Sequence, residues 1–219
     1  MRKYVSVVIA TVLMLCALVL GGCGSLSSTN FEGTWAYVMQ PNKKNIDYKY
    51  DSDMLYVITM TKKSEHTYES TFRQYKYVKK DIKLLNEEEY AKGDRFFYWL
   101  STIPEKPNSA GVMPKIELDF EFKHLPTDME AVMMTERDGK LYTDEGTEFT
   151  LDSKTGNLIS GNQTMAPVEN GDLTKFKEEM QQHIKDYFQK KYVDTKKWDI
   201  TDYVFTDAGD LVVQGDYKK

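Results

Sequence analysis

Residues 115–123 alternate without a break, with Ile116, Leu118, Phe120 and Phe122 on one side and Lys115, Glu117, Asp119, Glu121 and Lys123 on the other. A period of two is the pattern of a strand with one dry face and one wet face. Such a strand cannot stand alone, so the chain must supply neighbouring strands and an apolar cover. The neighbours are legible. Residues 31–39 read as a first strand, stopped by Gln40-Pro41-Asn42. Residues 54–60 and 65–78 read as a second and third, joined by a turn at Thr61-Lys62-Lys63-Ser64. In the third, Tyr68 and Phe72 share one face while Tyr75 and Tyr77 share the other, a phase switch that points to a bulge or a strand end.

Asn86, followed by Glu89, has the form of a capping box, with Gly93 ending the short helix it would start. Residues 94–102 read as a buried strand, since Phe96-Phe97-Tyr98-Trp99-Leu100 is apolar on both faces. Residues 102–114 hold Pro104, Pro107, Gly111 and Pro114 and read either as a lid-like loop or as a boundary between two halves; the loop is favoured, because neither half of the chain alone makes a complete sheet. Two hairpins follow, 129–135 with 140–143 across Arg137-Asp138-Gly139, and 147–151 with 157–160 across residues 152–156. Asp172 reads as the N-cap of a long helix in which Leu173, Phe176, Met180, Ile184, Tyr187 and Phe188 recur at helical spacing, as far as about Tyr192. Its other face carries Lys175, Lys177, Glu178, Gln182, Lys185 and Lys190, so it reads as a helix laid on a sheet, with the membrane interface as the alternative surface. A last hairpin, 201–206 with 211–214, closes the chain. The expected fold class is mainly β (β-rich α+β). It is an antiparallel meander, partly or wholly closed into a barrel, with the C-terminal helix outside, in one domain over residues 31–219. The 15 Tyr, 10 Phe and 3 Trp suit such a sheet.

The N-terminus is of another kind. Arg2 and Lys3 precede an apolar run over 5–20, too short for a spanning helix, which ends in Leu20-Gly21-Gly22-Cys23. These four residues resemble the lipobox of bacterial lipoproteins. The resemblance implies cleavage between Gly22 and Cys23, removal of residues 1–22, and a thioether-linked diacylglyceryl group on Cys23. It further implies attachment to the bilayer on the exported face of the cell membrane or outer membrane. Gly24 is not the aspartate that retains many lipoproteins in the inner membrane, which favours the outer membrane where there is one. Two or three acyl chains make such an anchor stable. Residues 23–30 are then the lipidated cysteine and a Gly/Ser/Thr linker, whose mean reach is roughly 15 Å.

Cysteine usage narrows the chemistry. Cys16 lies in the discarded stretch and Cys23 is acylated, so the domain is expected to have no disulfide, no thiolate nucleophile and no cysteine-ligated metal. Arg2 and Lys3 are the signal's only charges, so the remainder is more negative than the whole chain's net −5, which argues against nucleic acid. His66, His124 and His183 are dispersed, with no second ligand at metal spacing. Asp47, Asp51 and Asp53 read as a solvated acidic loop, and Asp152 to Asn157 as a hairpin turn rather than a calcium loop. No nucleophile elbow or phosphate-cradling glycine loop is present. The expectation is a non-enzyme with no catalytic residues, no metal and no cofactor.

Gly33-Thr34-Trp35 resembles the Gly-x-Trp that opens the first strand of lipocalins and related calycin barrels. The resemblance implies a barrel whose tryptophan packs across the closed end and whose interior holds an apolar or amphipathic ligand. The chain departs from the pattern in having Thr201-Asp202-Tyr203 after the helix and no arginine beyond Arg137. From alternation, Phe72, Trp99, Phe120 and Phe122 are the candidate lining residues. The expected function is a membrane-anchored, non-catalytic envelope lipoprotein binding a small apolar or amphipathic ligand. The alternative is a structural or interaction lipoprotein with a side-chain-filled core, whose exposed tyrosines meet an envelope protein. A cavity of about 300 Å³ or more favours the ligand.

Overall fold

A computed structural model describes residues 29–41, 48, 52–93, 103–126 and 131–208. The signal segment with Gly22 and Cys23, the expected strand 94–102 with Trp99, and the 211–214 arm of the last hairpin lie outside the described residues.

Ten strands form among the described residues: β1 (Gly33–Met39), β2 (Met54–Ser64), β3 (Thr67–Leu84), β4 (Lys115–Leu125), β5 (Val132–Arg137), β6 (Lys140–Thr143), β7 (Glu148–Leu151), β8 (Leu158–Ser160), β9 (Gln163–Pro167) and β10 (Asp199–Asp207). Two helices accompany them, α1 (Glu87–Gly93) and α2 (Thr174–Phe188), the latter running on through a π-helical turn at Gln189–Val193. The strand order β3-β2-β1-β9-β8-β7-β6-β5 closes when β5 pairs back on β3, giving an antiparallel barrel of eight strands. β4 and β10 extend the sheet outside the barrel, and α2 packs on the outside.

The length of β3 makes both parts possible. Thr67 to Ser70 pair with β5, whereas Gln74 to Leu84 pair with β4. Tyr68 faces the barrel interior and Phe72 packs against the same core, while Tyr77, with Tyr75 beside it, lies beneath α2. The phase switch is therefore neither a bulge nor a strand end. Alternation continues through it, and the buried side changes because the strand passes from one core to the other. The irregularity in register comes later, between Lys79 and Asp81. The β2–β3 turn is Glu65-His66 rather than residues 61–64, because both strands run further than their apolar residues suggest.

Two cores share β1 and β2. Phe31, Trp35, Ile58, Met60, Tyr68, Met134, Leu141, Phe149, Leu158 and Met165 fill the barrel. Ala36, Leu55 and Val57, from the opposite faces of the same strands, join Tyr77, Ile116, Leu118, Phe120 and Phe122 under Phe176, Met180, Ile184 and Phe188 of α2. Burying each large apolar side chain contributes about 1.5–3 kcal/mol, so the helix stripe is a main cover of the outer core.

The segment 103–114 is tied down. Trp198 Nε1 donates to Pro104 O at 2.7 Å, Tyr90 Oη to Lys106 O at 2.8 Å, and Asn108 Nδ2 to Tyr90 O at 2.7 Å. Asn86 does not act as a capping box. Its amide donates to Met113 O at 2.9 Å and its Oδ1 accepts from Lys115 N–H at 2.8 Å, which fixes the start of β4. Asp172 Oδ1 accepts from Thr174 N–H at 2.8 Å at the head of α2. The first arm of the expected last hairpin is β10, which pairs in parallel with β4 and sets Tyr203 and Phe205 against the outer core. Among the described residues no helix is long and apolar enough to cross a membrane.

Candidate functional site: the mouth of the barrel

One end of the barrel is plugged. The Trp35 ring lies over Gly33 so closely that a Cβ there would meet it at 3.0 Å, a contact that a larger residue could make only if the ring gave way. Trp35 Nε1 donates to Gly156 O at 2.8 Å. The β7–β8 turn that presents this carbonyl is held by Asp152, whose carboxylate accepts from Lys154 N–H at 2.9 Å and from Thr155 Oγ1 at 2.8 Å. These hydrogen bonds hold the Asp152 carboxyl below the usual range. Phe31 meets Tyr68 edge-on at 5.9 Å between centroids in the same core.

Among the described residues the other end is open, where the β3–β5 pairing ends at Ser70 and Val132 and β3 passes to β4 from Gln74 on. Beyond that point Phe72 and Gln74 of β3, with Tyr56 and Tyr37, line a cavity of about 920 Å³. Ile58 lies deeper in it, and Val132, Thr143 and Thr147 line it further. Tyr37 and Tyr56 occupy paired positions on β1 and β2, and their rings stack at 5.1 Å and 11°. Burial first, and then Tyr56, raises the Tyr37 pKa, so its phenol stays protonated and able to donate. The β6–β7 turn is closed by Gly146 N–H to Thr143 O at 2.9 Å and by Thr147 N–H to Thr143 Oγ1 at 3.0 Å. That turn carries Asp144 and Glu145, exposed at the rim of the cavity.

A second polar cluster lies on the outer face. Asp53 is buried, not part of a solvated loop; it accepts from Tyr48 Oη at 2.5 Å and from His183 Nδ1 at 2.6 Å. Gln40 Nε2 lies 2.8 Å from His183 Nδ1 and 3.0 Å from its Nε2. Burial, then the bond to Asp53, pushes the Tyr48 phenol well up. A cleft of about 670 Å³ lies beside it. The bond from His183 to Asp53 joins α2 to the chain just before β2. Among the described residues no group of three His, Cys, Asp or Glu side chains could hold a metal.

Of the expected lining residues, Phe72 alone is placed at the mouth. Phe120 and Phe122 do not line the interior. β4 lies outside the barrel, and its apolar face meets α2, with Phe120 6.0 Å from Phe188 and Phe122 stacked on Tyr75 at 5.4 Å. Trp99 is outside the described residues. Sequence reasoning missed Tyr37, Tyr56, Asp144 and Glu145. Tyr37 was within reach, two residues past Trp35 on the same face; Tyr56 needed the β1–β2 register. No family model, no curated protein and no solved structure matches the chain.

Proposed function

We propose that the protein is a non-catalytic, membrane-anchored envelope lipoprotein that holds a small amphipathic molecule in the mouth of its barrel. The observation that carries this reading is the cavity of about 920 Å³, walled by Tyr37, Tyr56 and Phe72 at the end opposite the Trp35 plug. Its volume falls in the range of small-molecule sites, and its apolar wall with a few polar groups is their usual composition. The position of the chain's entry supports the same reading. Tyr68 Oη donates to Thr29 O at 3.3 Å, and Thr29 lies beside Gly139 in the β5–β6 turn, at the plugged end. A linker from an acylated Cys23 would therefore meet the barrel at its plugged end and leave the mouth facing away from the bilayer.

A second reading is favoured by the exposed Met39 and Met133, the latter lining the cavity. In that reading the mouth seats a segment of another envelope protein. Native mass spectrometry of the purified chain separates the two. A co-purified small mass that Gln74→Trp removes, with the melting temperature unchanged, supports the ligand. A bound polypeptide supports the second reading, and a chain bare of both counts against the mouth as a site.

A further inference from the structure

Resting on the reading of the mouth as a ligand site, we infer that its ligand is a cationic amphiphile: an aliphatic amine or quaternary ammonium with an apolar tail. Three observations on different groups converge. The described residues that line the cavity include two acids, Asp144 and Glu145, and no lysine or arginine. Neither carboxylate has a hydrogen bond or ion pair among the described residues, whereas Glu148, in the next strand, is paired with Lys140 at 2.7 Å. Among the described residues the two acids are thus unneutralised at the cavity's edge.

The aromatic wall adds an independent argument. Elsewhere the protein lays its own lysines over its rings: Lys177 sits 4.7 Å from the Phe122 centroid, Lys175 4.7 Å from Phe176 and Lys185 5.6 Å from Phe205. Among the described residues no cation lies over Tyr37 or Tyr56. The stacked pair lines the mouth, and among the described residues its attraction for a cation is unused. The third observation is depth. Ile58 and Val132 take the apolar tail, so a head group at the rim falls between the tyrosine pair and the acidic turn. A cation there gains from both sides, while an anion meets two like charges.

The test compares three probes that share a dodecyl tail, with trimethylammonium, maltoside and sulfate heads. Each is titrated below its micelle concentration into the full chain carrying Cys23→Ser and followed by calorimetry. The ammonium is expected to bind at least tenfold more tightly than the maltoside, and the sulfate most weakly. Asp144→Asn with Glu145→Gln should remove most of the ammonium's advantage, leave the maltoside unchanged and leave the melting temperature unaltered. Equal binding of all three heads, or an ammonium affinity indifferent to the double variant, overturns the charge inference while the mouth stands as a site. Failure of every probe to bind overturns the mouth reading itself, and this inference with it.

Discussion

Asp53 Oδ2 lies 2.6 Å from His183 Nδ1, a bond that ties the chain just before β2 to the middle of α2. Asp53 is only 1% exposed and takes its other hydrogen bond from Tyr48. Removing the imidazole would leave a buried carboxylate one donor short. His183→Ala should lower the unfolding free energy by about 1–3 kcal/mol, the usual cost of an unsatisfied buried group. Adding Asp53→Asn should recover part of the loss, because an amide is cheaper to bury than a charge. Urea unfolding measures both, and a His183→Ala loss within about 0.5 kcal/mol would show that the bond does not hold the helix.

At the plug, Gly33→Ala drives a methyl group into the Trp35 ring. The expected cost is about 1–3 kcal/mol for overpacking. Trp35→Phe should lose about 1 kcal/mol with the hydrogen bond to Gly156, beyond any change in packing. If Gly33→Ala melts with the wild type, the ring is free to move aside and the plug is not rigid.

Ile184 sits fully buried between α2 and the outer face of the barrel. Ile184→Asp should place an unpaired carboxylate in a dry site and cost several kcal/mol, enough to unfold or aggregate the acyl-free chain with no membrane present. Lys190→Asp, on the exposed side of the same helical segment, should stay within about 0.5 kcal/mol. Equal melting temperatures for Ile184→Asp and wild type would mean that this stripe is not held against the sheet.

Several tyrosines make the protein sensitive to base. Burial and then Asp186 push the Tyr203 pKa up to about 12. Tyr48 and Tyr77 are also raised, chiefly by burial. A raised folded pKa means that the unfolded chain gives up its proton first. The stability that Tyr203 confers is therefore complete below about pH 10 and is lost as the pH rises through about 12, and Tyr48 and Tyr77 act in the same direction. Melting temperature should fall steadily above about pH 10, and less steeply in Tyr203→Phe; a flat profile to about pH 11.5 would contradict the burial of these hydroxyls.

Sequence by itself determined the elements whose signal is local. The alternation at 115–123 is β4, the apolar stripe from Phe176 to Phe188 is the buried side of α2, and the turn residues Asp138-Gly139 and 152–156 close the hairpins they announce. β9 went unread because Gln163-Thr164-Met165-Ala166-Pro167 has one core residue, Met165, and too little contrast between its faces. Tertiary structure alone decided what each face meets. A period of two states that the faces of a strand differ, but not whether the dry one looks onto a helix or into a barrel. Phe120 therefore lies under Phe188 while Phe72 opens on the mouth. The same holds for Asp53 and the Tyr37–Tyr56 pair. His183 is far along the chain from Asp53, and Tyr37 meets Tyr56 only through the β1–β2 register, so neither contact leaves a periodic trace. Periodicity is a property of neighbours in sequence, whereas a site is made of neighbours in space.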